Sequence, residues 1–223
     1  MIRFNSINEL KKYCFNTHSS YLKNNHFRKW INNKEIHIFN FSNLRKEDIK
    51  HIKSGIEDAI AIVRLHFKVY FNNESSIKKF SNLTDEKIDS RKLLKMVIEE
   101  RKKSHKEHSD AFIFNNPIKS TNAVLRDGES LTYVPQGVMI FTFDAFKKYP
   151  HDFLSRRAKH EALHLLGLNF HHEGTKIEGY DNNILCNMNY NAPTQHLCRK
   201  CKDAIVYFWK GIEYATTKQF IKN

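Results

Sequence analysis

The sequence has no hydrophobic segment long enough to cross a membrane. Its longest uncharged apolar stretch is Gly137–Phe143, which has the length of a β-strand, whereas a membrane-spanning helix needs about 20 residues. The first residues, Met1–Ser6, lack a continuous apolar region followed by small residues, so they do not resemble an export signal. We therefore expect a cytoplasmic protein with no membrane partner.

Glycine and proline are scarce, with 7 and 4 among 223 residues. Together with 40% hydrophobic and 13% aromatic residues, this scarcity excludes collagen-like, elastic and wholly disordered chains. The length suits one globular domain, or one domain built in two lobes.

Acidic residues are also in deficit. The chain has 24 Asp and Glu against 37 Lys and Arg, a formal net charge of +13. Such an excess favours anionic partners, either nucleic acid or acidic peptides. The basic residues form no long block and accompany no nucleic-acid-binding motif, which favours lysines spread over a solvated surface. Nucleic-acid binding remains an alternative function.

Hydrophobic patterns predict an α+β fold with an α/β-like first part. Glu35–Phe41 and His66–Phe71 are predicted strands, and apolar residues at steps of three and four predict a helix over Ile49–Val63. This order favours a parallel crossover unit. The other predicted elements are a helix over 86–102, strands over 111–114 and 137–143, a helix over 153–166 and a helix over 203–220.

The same patterns suggest three parts of the chain. Residues 1–34 are predicted to be an N-terminal extension, helical or frayed, and residues 35–167 an upper lobe with the sheet and the active-site helix. Residues 168–223 would form a smaller lower lobe with little regular structure before the last helix. Residues 116–130 are predicted to be a loop or a ragged edge hairpin because they contain several turn-forming residues.

The chemistry concentrates on the helix predicted over 153–166. His160 and His164 are four residues apart, so both imidazoles project from one face and can bind one Zn²⁺. Glu161 is turned away from that axis and can reach a metal-bound water without being a ligand, as a general base must. Asp152 is a plausible N-cap of this helix, and Gly167 is predicted to end it.

Three of the four cysteines lie close together after this helix. Cys186, Cys198 and Cys201 follow the histidines, whereas Cys14 is far away and is predicted to be an unpaired thiol. In a chain without an export signal, clustered cysteines hold a metal more often than they form disulfides. An independent zinc ribbon is the alternative interpretation of the cluster.

These motifs resemble the metzincin zinc peptidases. The run from His160 to Gly167, followed by further histidines, resembles their zinc motif, and Cys186-Asn187-Met188 with Cys198-Arg199-Lys200-Cys201 resembles the archaemetzincin family in particular. The resemblance covers about residues 160–201. It implies a metzincin-type zincin fold with a mixed twisted sheet, and two zinc ions, one catalytic and one structural. It also implies that Met188 forms the turn beneath the catalytic metal.

The third histidine departs from the family spacing. Phe170 occupies its usual position, and His171 and His172 follow. Adjacent residues in an extended segment point to opposite sides, which favours His171 on the catalytic zinc and His172 with the three cysteines on the structural zinc. Alternatively, His171 completes the structural site and the catalytic zinc takes another ligand. His196 is a further candidate for the structural site.

The resemblance implies a zinc metalloprotease that hydrolyses peptide bonds through Glu161-assisted attack of a zinc-bound water on a peptide or protein substrate. Tyr190 is a candidate fifth ligand or transition-state contact, although packing is the simpler role. The strand over 137–143 is predicted to offer a backbone edge to the substrate. The rival interpretations are a catalytically inactive zinc protein of the same fold and a zinc-containing nucleic-acid-binding protein. The oligomeric state is not predicted.

Overall fold

The computed structural model describes residues 6–72, 80, 90–103, 107–115, 130–143, 148–168, 186–188 and 194–221. Its strands are β1 (Glu35–Phe41), β2 (Lys68–Asn72), β3 (Ser109–Phe114), β4 (Ser130–Tyr133) and β5 (Val138–Thr142). Its helices are α1 (Ile7–Lys23), α2 (Asn25–Asn33), α3 (Lys46–Val63), α4 (Ser90–Lys103), α5 (His151–Leu165) and α6 (Arg199–Ile221). The architecture is the expected mixture of helices with one mixed sheet.

The five strands form one sheet in the order β2-β1-β3-β5-β4. All neighbours are parallel except β4, which runs antiparallel to β5. The parallel pairing of β1 with β2 across α3 agrees with the crossover predicted from the sequence. Among the described strands, β4 therefore forms one edge of the sheet and β2 the other.

Alternating side chains cover both faces of the sheet. Ile36 and Ile38 face a core shared with α1, α2, α3, α5 and α6, whereas Phe39 and Phe41 face a second core with Leu93 and other residues of α4. All six residues of β3 are buried, as expected for a central strand covered on both sides.

The N-terminal residues are helical and belong to the larger core. Leu10, Cys14 and Trp30 are buried there, and α1 packs along α6. The Trp30 indole donates a hydrogen bond to the Glu35 carbonyl at the start of β1 (2.9 Å). The two helices thus contribute to the same core as the sheet; the three-part division of the chain stays a prediction.

Helix α5 is held between α3 and the sheet. A glycine in α3 makes this contact close, because a Cβ at Gly55 would come within 2.0 Å of the Ser155 carbonyl oxygen. At its end, the Trp209 indole of α6 donates to the Leu166 carbonyl (2.9 Å), and Gly167 adopts a positive φ of 113°. The helix ends at this point as the sequence predicts.

Two local predictions are wrong. The strand predicted over 137–143 offers no edge, because β5 pairs with β3 on one side and β4 on the other. Asp152 is not the N-cap of α5: Pro150 occupies that position without a side-chain cap, and the Asp152 carboxylate instead accepts a hydrogen bond from Gln195 (2.9 Å).

In the part of the chain that the structure describes, no helix combines the length and the apolar character that crossing a bilayer requires.

Candidate metal centre

The imidazoles of His160 and His164 converge at the C-terminal end of α5. Their Nε2 atoms are 3.2 Å apart, and the ring planes are nearly perpendicular. Tetrahedral zinc with Zn–N bonds of about 2.0–2.1 Å would place two ligand nitrogens about 3.3–3.4 Å apart. The pair therefore fits two adjacent corners of one zinc tetrahedron without rearrangement.

The other nitrogen of each ring is held by a backbone carbonyl. His160 Nδ1 donates to the Asn187 oxygen at 2.7 Å, and His164 Nδ1 donates to the Leu168 oxygen at 2.5 Å. A proton on Nδ1 puts the lone pair on Nε2, the atom through which such a ring binds a metal, and such outer contacts fix both tautomer and ring orientation. Both rings are thus oriented so that Nε2, and not Nδ1, faces the other ring.

Burial also keeps His160 neutral. Its side chain lies in the core with 3% of its surface exposed, and this desolvation, reinforced by the neighbouring His164, lowers the pKa of His160 to about 3. Metal binding at neutral pH consequently needs no proton to leave this ring.

Glu161 is fixed by the edge strand of the sheet. Its carboxylate accepts hydrogen bonds from Ser130 Oγ on Oε1 and from Thr132 Oγ1 on Oε2, both at 2.7 Å. Glu161 is 1% exposed, so these two hydroxyls supply charge-assisted hydrogen bonds that replace water. Each oxygen keeps a second lone pair for another donor.

Glu161 does not form a compact ligand group with the histidine pair. Among the described residues, only the three cysteines form a group of three or more potential ligands whose donor atoms all lie within 4.8 Å of one another. At least one of the distances from the Glu161 carboxylate to the two imidazoles therefore exceeds 4.8 Å, so Glu161 does not join the histidine pair as a third ligand in this arrangement.

The three clustered cysteines meet in a second buried site. Cys186, Cys198 and Cys201 are all buried with free thiols, and the sulfurs of Cys186 and Cys201 are 3.8 Å apart. Zn–S bonds of about 2.3 Å in a tetrahedron would give the same separation, about 3.8 Å. The spacing fits shared coordination of one zinc ion.

The sulfurs share protons unequally. Hydrogen bonds from Cys198 and Cys201 lower the pKa of Cys186 to about 3, whereas the same contact with Cys186 raises the pKa of Cys201. These hydrogen bonds therefore favour the thiolate form at Cys186, and a thiolate is the form that binds zinc.

Of the other predicted site residues, the structure describes Met188 and His196. Met188 is fully buried in a turn, next to Asn187. His196 is exposed and does not join the cysteine group. His171, His172 and Tyr190 lie outside the described residues, so their assignment remains a prediction.

The sequence reasoning missed Ser130 and Thr132. Strand β4 alternates polar with apolar residues, but its polar residues Ser130 and Thr132 are the ones that face the carboxylate in the interior. The available signal was the combination of Thr132 and Tyr133, both of which favour strands, just before the turn that leads into β5.

No protein-family model and no curated protein sequence matches this chain. Among solved structures, it is similar to the archaemetzincin of Methanopyrus kandleri, with a TM-score of 0.49 and 9% identity over 80% of this chain and 95% of that chain. It is also similar to a zinc-dependent peptidase of Methanocorpusculum labreanum (strain Z), with a TM-score of 0.44 and 17% identity over 76% and 99% of the two chains.

Proposed function

We propose that this chain is a zinc-dependent metallopeptidase. The observation that carries the proposal is the geometry at the end of α5. Two imidazole Nε2 atoms lie 3.2 Å apart, both rings are anchored through Nδ1, and a buried carboxylate follows the first of them in sequence. This combination supplies two zinc ligands and a base on one rigid helix.

His160, His164 and His171 would hold the catalytic zinc, and Cys186, Cys198 and Cys201 with His172 would hold the structural zinc. The donor chemistry supports this division. Neutral imidazoles suit a catalytic site that keeps one open position, whereas a closed set dominated by thiolates suits a structural site.

The protein groups around the catalytic position have definite tasks. A zinc ion held there supplies a Lewis acid that lowers the pKa of a water molecule and polarises a carbonyl group. Glu161 accepts a proton from the attacking water as the new C–O bond forms at the peptide carbonyl. As the C–N bond breaks, Glu161 passes this proton to the leaving amine. Ser130 and Thr132 hold the carboxylate in place during both transfers.

Strand β4 suits an extended substrate better than β5 does. Among the described strands it pairs with β5 alone, and its hydroxyls contact Glu161. A peptide added along this strand would pass next to the base and gain main-chain hydrogen bonds. The formal charge of +13 favours acidic peptides among the substrates.

Replacing Glu161 by Gln tests the proposal, because the amide retains the shape and cannot accept the proton. We expect hydrolysis of a peptide library to be lost while the zinc content stays equal to that of the unsubstituted protein. Glu57→Gln is the matched control, since Glu57 is an exposed residue paired with Lys53 on α3. Equal cleavage by the Glu161→Gln variant would refute the mechanism. Full zinc occupancy without any cleavage by the unsubstituted protein would instead favour an inactive zinc protein.

A further inference from the structure

Asn187 connects the two candidate metal sites. Its backbone oxygen accepts the hydrogen bond of His160 Nδ1 (2.7 Å), and the residue before it is Cys186. Consecutive Cα atoms are about 3.8 Å apart. A single peptide unit therefore separates a sulfur of the cysteine group from the carbonyl that orients a histidine of the other site.

The side chain of Asn187 holds the turn of residues 186–188 in place. Its Nδ2 donates to the Arg156 carbonyl on α5 (3.1 Å) and to the Thr194 carbonyl (3.2 Å). Its backbone N–H donates to the His196 carbonyl (2.6 Å). With 2% of its surface exposed, Asn187 joins three segments of the chain in a buried position.

The turn is equally tied to the cysteine group. Cys186 Sγ accepts a hydrogen bond from the Cys198 backbone N–H (3.4 Å) and lies 3.8 Å from the Cys201 sulfur. A metal ion bound to these sulfurs would fix their separations and with them the backbone of residues 186–188. Without a metal ion, these hydrogen bonds and the packing of Cys186 and Met188 in the larger core hold the turn.

We propose that Asn187 is a positioning residue through which metal binding at the cysteine group strengthens metal binding at the histidine pair. The inference rests on the two proposed zinc sites and not on peptide cleavage. Its physical basis is that a displaced Asn187 carbonyl would free the His160 ring to rotate or to change tautomer, which turns the Nε2 lone pair away from the metal. Because coupling between two binding sites is reciprocal, the histidine site should strengthen the cysteine site by the same factor.

The first experiment measures metal affinity at each site separately. Co²⁺ is titrated into metal-free protein: cobalt on thiolates gives a strong sulfur-to-metal charge-transfer absorption, which cobalt on imidazoles lacks. Asn187→Ala keeps the backbone carbonyl that holds His160 Nδ1 and removes the side-chain bonds that fix the position of this carbonyl. We expect affinity at the histidine site to fall by up to about 10-fold, the lower end of the effect of removing an outer-shell partner outright. Gln195→Ala is the matched control. Its amide also ties the same region to α5, through Asp152 (2.9 Å) and Ser155 (2.7 Å), but contacts neither metal site, so we expect no change.

The second experiment closes a thermodynamic cycle. Cys198→Ser, with Cys201→Ser as a second variant, empties the cysteine group, and we expect affinity at the histidine site to fall by a factor similar to that of Asn187→Ala. In the combined variant, the second substitution should add little, because both remove the same coupling. Circular dichroism identifies variants that fail to fold, and whichever cysteine variant folds is used.

The outcomes separate this inference from the proposed function. If the effects of the asparagine and cysteine substitutions multiply as independent factors, or if Asn187→Ala binds cobalt as tightly as the unsubstituted protein, the coupling is refuted. If the coupling is measured but no peptide is cleaved, the peptidase proposal alone fails. A histidine site that takes up no metal in the unsubstituted protein would overturn both.

Discussion

The hydrogen bond from Thr132 to Glu161 provides a quantitative test of how the base is held. Thr132→Val keeps the branched shape and removes the hydroxyl, whose single proton is shared between Glu161 Oε2 at 2.7 Å and the Glu161 backbone carbonyl oxygen at 2.9 Å. A hydrogen bond to a charged group contributes about 1.5–3 kcal/mol. Because Glu161 is 1% exposed, water does not readily replace the lost donor. We expect the free energy of unfolding to fall by about 1.5–3 kcal/mol.

The same substitution should impair catalysis more than substrate binding. With one of its two hydroxyl partners removed, the carboxylate can turn about the remaining bond to Ser130. Small misplacements of a reacting group lower rates by up to about 100-fold. We expect kcat to fall within that range and KM to change little. Urea denaturation gives the unfolding free energy, and steady-state kinetics on a cleaved peptide gives kcat and KM.

Two companion variants make the test decisive. Thr132→Ser retains the hydroxyl and should recover most of the stability and kcat. In a Glu161→Gln background the partner is neutral, so Thr132→Val should cost only about 0.5–1.5 kcal/mol. The proposed role of the Thr132 hydroxyl is refuted if Thr132→Val has the same free energy of unfolding as the unsubstituted protein. It is also refuted if Thr132→Ser loses as much stability and kcat as Thr132→Val.

Two further predictions concern the fold around the site. Gly167→Ala should lower the free energy of unfolding by at least about 2 kcal/mol. The alanine would have to adopt a φ of 113°, and its Cβ would lie only 2.4 Å from the Phe208 ring. A melting temperature within error of the unsubstituted value would contradict this prediction. Burial and the stacked His108 lower the pKa of His37 below 6.5 despite the nearby Glu35 and Asp110. The unfolded chain therefore binds this proton at higher pH than the folded protein does, and stability should fall as the pH drops through 6.5. Urea midpoints measured from neutral to mildly acidic pH should decline less in His37→Asn, and an equal decline would contradict the assignment.

The sequence predicts the elements whose surroundings follow ordinary rules. β1 has the bounds Glu35–Phe41 in both the prediction and the structure, because its alternating apolar residues face two cores. The spacing of His160 and His164 likewise indicates a shared face of α5, and their Nε2 atoms do meet. Here local periodicity and tertiary packing favour the same arrangement.

Sequence patterns do not predict the contacts of a side chain whose hydrogen-bond partner is distant in the sequence. Strand β4 places Ser130 and Thr132 toward the interior because Glu161 lies there, 31 and 29 residues later, and this reverses the usual apolar pattern. Asp152 carries a helix-capping residue type but pairs with Gln195 instead. No local pattern contains such long-range contacts, so neither detail follows from periodicity or capping preference.

The missing side chain at Gly55 has a mechanical consequence for the helix that carries His160 and His164. Backbone rests directly on backbone where α3 meets α5, so the histidine-bearing helix cannot roll or slide without driving the Ser155 carbonyl into its neighbour. This contact makes α5 a rigid support for His160 and His164.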